Sequence, residues 1–230
     1  MMCFFYLDAS DLRLGIIIFL LGVGLGLGGC IPYAVGTTAQ PAAPDEPATS
    51  GTIMYVPTGV GYKGSEAEVT AGYMLPMVGL RSGINEASDI GVRAPGLTGF
   101  VIDYKRRVAG NASKRTAALG LMGGAGVVNA GNHFHVEATV LASGPEAERR
   151  FVPYGGLRAM HVIPMNSVAV TDLPTVGGFL GLRIGTNELG ISAELGVFYD
   201  SPALKLRDHD IIAVPSFTVH SRRFFEMFGY

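Results

Sequence analysis

From about Gly64 onward the sequence alternates with a period of two, and no helix-period segment of useful length interrupts it. The clearest unit runs from Val176 to Asp200. Val176, Gly178, Leu180, Leu182 and Ile184 take one face of a strand; Gly177, Phe179, Gly181, Arg183 and Gly185 take the other. After Thr186-Asn187-Glu188, the set Leu189, Ile191, Ala193, Leu195, Val197 and Tyr199 opposes Gly190, Ser192, Glu194, Gly196, Phe198 and Asp200. Alternation on both sides of a short polar turn predicts a β-hairpin. One of its faces is apolar and the other is glycine with an occasional charge.

The same pattern recurs in 66–75, 98–107 and 132–142, with further strands expected at 115–127, 150–163 and 209–220. Asn85 to Asp89 is a turn joining Val78–Ile84 to Ile90–Ala94. Pro76, Pro153, Pro164 and Pro215 are expected at strand ends, bulges or kinks, because proline cannot donate to a ladder. The runs give eight to ten strands, so the fold class is all-β, an antiparallel up-and-down barrel.

Which face points outward follows from the glycine face. A soluble barrel would bury its apolar rows and solvate the others with Lys, Glu, Thr and Asn. Here charged residues are only 16% of the chain and glycines number 33. A face of glycine, serine and alanine with about one ion per strand suits a narrow lumen. Apolar-out and polar-in alternation in segments of about ten residues is the pattern of membrane barrels, and closure leaves no backbone donor facing lipid. On this reading Arg93, Asp103, Glu137, Arg158, Arg183 and Glu194 form a lumen charge network. Tyr73, Phe100, Tyr104, Phe134 and Tyr199 are available for interfacial girdles.

The N-terminus is a different kind of sequence. Arg13 precedes an apolar run, Leu14 to Leu27, that closes on Leu27-Gly28-Gly29-Cys30. A basic residue, a short apolar core and small residues at the exit predict a secretory signal, residues 1–29; an uncleaved membrane helix is the alternative. The formal Gly24-x-Gly26-x-x-Gly29 fingerprint lacks the strand and helix that dinucleotide binding needs. Leu-Gly-Gly-Cys resembles the lipobox of bacterial lipoproteins. That resemblance implies lipid attachment at Cys30, and Ile31, in place of aspartate, implies outer-membrane sorting. Residues 31–51 are rich in Pro, Ala and Thr without hydrophobic period. They are expected to be a disordered tether, within a linker over 30–63. The barrel is then expected over 64–221 and an aromatic tail over 222–230. Cys3 and Cys30 are the two cysteines, so a chain cleaved before Cys30 has no internal disulfide.

Ile84 to Arg107, INEASDIGVRAPGLTGFVIDYKRR, resembles the turn-and-strand pattern of small bacterial outer-membrane β-barrel proteins. Gly177–Tyr199 is similar in style. The resemblance covers roughly 65–221 and implies an outer-membrane location, membrane lipid as surroundings and the outer-membrane assembly machinery as a partner. Tyr230 supplies a terminal aromatic, but Glu226 departs from the family's alternate apolar positions.

Chemistry-bearing patterns are sparse. His133-x-His135-x-Glu137 places three possible zinc ligands on one strand face; a polar lumen row is the competing account, and no metal is expected. His220-Ser221 is similar to the histidine and serine of outer-membrane lipid A deacylases, but adjacent strand residues point to opposite faces. Asp208-His209-Asp210, Arg149-Arg150 and Arg222-Arg223 are expected at solvated strand ends. No phosphate loop, nucleophile elbow or cofactor motif stands out, and a net charge of −2 gives no nucleic-acid footprint. The sequence therefore predicts a non-enzymatic outer-membrane barrel with a structural or small-solute passage role. The alternatives are a periplasmic lipoprotein whose soluble barrel binds a hydrophobic ligand, and an outer-membrane lipid-modifying enzyme.

Overall fold

A computed structural model of the chain describes residues 31–44, 47–57, 60–63, 66–69, 72–111, 116–146, 151–165, 174–186, 189–199 and 211–221. Cys30 and the apolar run before it lie outside the described residues, as do Arg149-Arg150, Asp208-His209-Asp210 and the 222–230 tail.

The strands are β1 (Ala48–Val56), β2 (Val60–Lys63), β3 (Glu66–Val69), β4 (Tyr73–Asn85), β5 (Ser88–Pro95), β6 (Phe100–Ala109), β7 (Ala118–Val128), β8 (His133–Ser143), β9 (Phe151–Pro164), β10 (Thr175–Gly185), β11 (Leu189–Tyr199) and β12 (Ile211–Ser221). Ten of them close in the order β1-β12-β11-β10-β9-β8-β7-β6-β5-β4, while β2 and β3 form a separate hairpin. Every neighbour pair is antiparallel, and β1 closes the barrel against β12 through Thr49↔Ser221 to Met54↔Ser216.

The alternation is oriented as the glycine face predicts. Ile90, Val92, Ile102, Leu121, Val140, Leu157, Leu180, Leu195, Val197 and Phe217 stand exposed on the outer wall, and Leu180 is 75% exposed. Arg93, Asp103, Lys105, His135, Glu137, Arg158 and Glu194 are buried inside. Tyr55, Phe100, Phe134 and Tyr199 are exposed at the same end of the barrel, where β1 and β11 finish and β6 and β8 begin.

Three expectations need correction. The barrel begins at Ala48 rather than 64, because 48–56 pairs with both β4 and β12. Residues 66–75 are not one strand: 66–69 belongs to the separate hairpin, and Tyr73 and Leu75 open β4 facing inward. That inward turn reflects a lumen with an apolar half, where Leu75, Met77, Val101, Val128, Met160, Phe198 and Ile212 pack together with Tyr73. Third, residues 31–44 are not a tether outside the barrel. They run inside it, with Ile31, Tyr33, Ala34, Val35 and Ala39 buried.

Pro76 and Pro153 lie within strands, yet each faces a side where the neighbouring ladder has ended. The Pro76 carbonyl accepts from Gly96 and the Pro153 carbonyl from Gly144, each beyond the last paired residue of β5 and β8 respectively. A strand residue's N–H and C=O point the same way, so what each proline forgoes is only the last bond of a ladder that ends there.

The two mouths differ. At one, connections 57–72, 96–99, 129–132, 165–174 and 200–210 join the strands; the other holds 86–87, 110–117, 144–150 and 186–188, with the start of β1 and the end of β12.

Candidate functional site

The lumen and the segment inside it form the site. The segment enters beside the apolar half, where Ile31, Tyr33 and Ala34 join the cluster of Leu75, Met160 and Phe198. The Tyr33 and Phe198 rings lie 5.4 Å apart, tilted by 54°, a favourable arrangement for an aromatic pair. Farther along, Val35 and Ala39 pack with Met122, Leu141, Tyr154 and Phe179. The segment finally meets the wall near the terminal mouth, where Pro44 bridges to Gly83.

Wall side chains hold this segment by its main chain. Arg158 Nη1 donates to the carbonyls of Tyr33 (2.9 Å) and Ala34 (3.1 Å). The carboxyl oxygens of Glu194 accept the backbone N–H groups of Val35 (2.9 Å) and Gly36 (3.0 Å), and also the Tyr154 hydroxyl (3.0 Å). Two successive N–H groups can converge on one carboxyl because Gly36 has φ +57°, as in other anion-binding backbone concavities. Lys105 Nζ donates to the carbonyls of Thr38 (3.0 Å) and Gln40 (2.7 Å) and to Thr37 Oγ1 (3.1 Å). Asp89 Oδ2 accepts the N–H of Ala42 at 2.7 Å.

Three of these groups, Arg158, Lys105 and Asp89, belong to a chain of buried ion pairs across neighbouring strands. Arg81 pairs with Asp89 and Asp103, Arg93 with Asp103 and Glu137, and Arg158 with Glu137. Lys105 lies 3.2 Å from Asp89, and His135 Nε2 lies 2.9 Å from Glu137. Each ion is therefore met by a partner of opposite sign, without which burial would be prohibitive.

Of the six network residues expected from sequence, Arg93, Asp103, Glu137 and Arg158 come together. Glu194 instead caps the inner segment, and Arg183 approaches Glu146 at 3.5 Å and the Thr186 carbonyl at 3.2 Å. Sequence reasoning missed Arg81, Asp89 and Lys105. The signal was present, since Arg81 shares the inward parity of Leu75 and Met77, and Lys105 that of Asp103. Asp89 was absorbed into the turn at 85–89, but β5 already begins at Ser88.

The three possible zinc ligands do not converge. Glu137 is engaged by Arg93, Arg158 and His135, whereas His133 Nδ1 meets Asn129 Nδ2 at 3.1 Å near the rim. Among the described residues no group of His, Cys, Asp or Glu is arranged to hold a metal ion. His220 points inward and Ser221 does not, as strand geometry requires. The serine that His220 does meet is Ser192 on β11, with Oγ and Nε2 2.9 Å apart. Ser192 is buried, at 1% exposed, while His220 is partly exposed.

Between the second half of the segment and the wall lies a cavity of about 550 Å³, bordered by Gln40, Arg81, Arg93, Lys105, Arg183 and His220. It opens toward the terminal mouth, and its lining mixes charged side chains with apolar groups such as Pro41, Ala43 and Leu80.

No protein-family model matches this chain, and no curated protein matches it in sequence. Its functional reading rests on the barrel and its contents.

Proposed function

We propose that this protein is an integral outer-membrane β-barrel, held shut by its own N-terminal segment, with a structural role and no catalytic one. The carrying observation is the outer wall. Around the whole closed circumference it presents rows of large apolar side chains. Among the described residues of the ten barrel strands, Arg106 is the one charged side chain on that wall. Soluble proteins rarely expose contiguous apolar patches beyond a few hundred Å², whereas membrane barrels carry an outward apolar band about 25 Å tall. The aromatic ring of Tyr55, Phe100, Phe134 and Tyr199 at one end supports an interfacial girdle.

Closure of the lumen supports a barrier rather than an open pore. Ten strands leave more room than eight, but the segment and the ion pairs occupy it. A soluble barrel with a greasy ligand site would need apolar rows pointing inward and space among them. An enzyme would need a reachable nucleophile, and Ser192, the serine that His220 meets, is buried.

Planar-bilayer recording together with gel mobility tests this reading. The unboiled protein should migrate differently from the boiled one and produce no channel steps in the bilayer. Equal mobility, or steady conductance from the intact chain, would contradict it.

A further inference from the structure

Most of the wall's hydrogen bonds to the inner segment go to peptide groups, besides those of Lys105 Nζ to Thr37 Oγ1 and Arg107 Nη1 to Gln40 Oε1. Arg158 holds the carbonyls of residues 33 and 34, Glu194 the N–H groups of 35 and 36, Lys105 the carbonyls of 38 and 40, and Asp89 the N–H of 42. These four side chains come from β9, β11, β6 and β5, and all are buried. Both donors and acceptors of the segment's irregular main chain, left-handed at Gly36, are thus met in turn by ionisable groups from opposite sides of the barrel. Peptide-group recognition of this kind supplies affinity, while side-chain pockets supply selectivity. Selectivity is visible at two points. Tyr33 stacks on Phe198, and a Cβ on Gly36 would come 2.8 Å from Thr218 Oγ1. The wall also thins where the segment passes: a Cβ on Gly83 would stand 2.4 Å from the Ala42 carbonyl oxygen.

We propose that the lumen is a binding channel for an irregular, small-residue polypeptide segment, filled in cis by residues 31–44 and able to accept the same segment supplied in trans. This goes beyond the barrier reading, because it makes the segment a ligand that the barrel recognises rather than a part of the barrel.

The test uses the full chain carrying a protease recognition sequence inserted between Pro44 and Ala48. After folding and cleavage, a fluorescent synthetic peptide of residues 31–44 is added and its anisotropy followed. The cut segment should stay with the barrel on gel filtration and be displaced saturably by the labelled peptide. The uncut chain should bind little peptide, since its channel is occupied. A peptide carrying Gly36→Val should fail to compete, and Glu194→Ala in the barrel should weaken binding about tenfold, the worth of one or two hydrogen bonds to an ionisable group. The proposal is overturned if the labelled peptide binds no better than its Gly36→Val form while the cut barrel keeps its heat-modifiable mobility. It is equally overturned if cutting abolishes that mobility, because the segment is then part of the fold. Failure of the barrier reading would appear separately, as conductance of the uncut chain.

Discussion

Glu194 on β11 accepts the backbone N–H of Gly36 at 3.0 Å, across a sequence separation of 158 residues. The contact ties the inner segment to the wall midway along the lumen and depends on both partners. Glu194→Ala removes the acceptor for two peptide N–H groups and the Tyr154 hydroxyl. Each buried donor left without a partner costs about 1–3 kcal/mol. The expected result is a matching loss in unfolding free energy and faster hydrogen exchange at Val35 and Gly36, read by mass spectrometry. Unchanged exchange at those two positions would remove Glu194 from the account.

Gly36→Val attacks the same contact from the segment. A β-branched residue at φ +57° is strained by about 1–2 kcal/mol, and its Cβ meets Thr218. Together these should displace the segment without touching the wall. Conductance in planar bilayers should appear where the parent chain is silent, and protease should cut within 31–44. A silent, resistant variant would mean that the segment is not what closes the lumen.

Glu137 is the hub of the ion chain, meeting Arg93, Arg158 and His135. Glu137→Ala leaves two guanidinium groups buried without their shared partner, a loss of about 3–5 kcal/mol. Urea titration of the folded barrel should show this as a lower midpoint. An unchanged midpoint would contradict the network as drawn.

The mouths make a prediction about sidedness. Membrane barrels carry short turns on the periplasmic side and longer loops outside. The mouth with connections 57–72, 165–174 and 200–210 should therefore face out, and the mouth with 86–87 and 186–188 should face in. An epitope inserted in 200–210 should bind antibody on intact cells, while one in 110–117 should require permeabilisation. Since Ile31 lies in the apolar half near the first mouth, the segment would run inward from the outer side. The reverse labelling pattern would invert the barrel.

The strand ladder was legible because its information is local. Each strand announces its two faces through neighbours two residues apart, as at Leu189–Tyr199, and a turn such as Asn85–Asp89 marks where the chain reverses. The inner segment was illegible for the opposite reason. IPYAVGTTAQPAAP has no hydrophobic period, and proline, alanine and threonine without a period usually signify an extended linker. What orders it is distant in sequence, the Arg158, Glu194, Lys105 and Asp89 side chains, which assemble only after the barrel closes. The apolar half of the lumen was hidden similarly. Tyr73 and Leu75 share the inward face with Arg81, and alternation alone does not say where along a strand an interior changes from greasy to charged. The ion chain was partly legible, since parity identified Arg93, Asp103, Glu137 and Arg158 as inward, but not which charge each would choose.

The account turns on the outer wall lying in hydrocarbon, and the chain contains no tryptophan, so a single one placed by Leu180→Trp reports cleanly from the most exposed apolar position of β10. In vesicles containing lipids brominated along their acyl chains, its fluorescence should be blue-shifted, strongly quenched by bromine and protected from aqueous iodide. Emission at the wavelength of a hydrated indole, quenched by iodide and indifferent to brominated lipid, would contradict the membrane barrel.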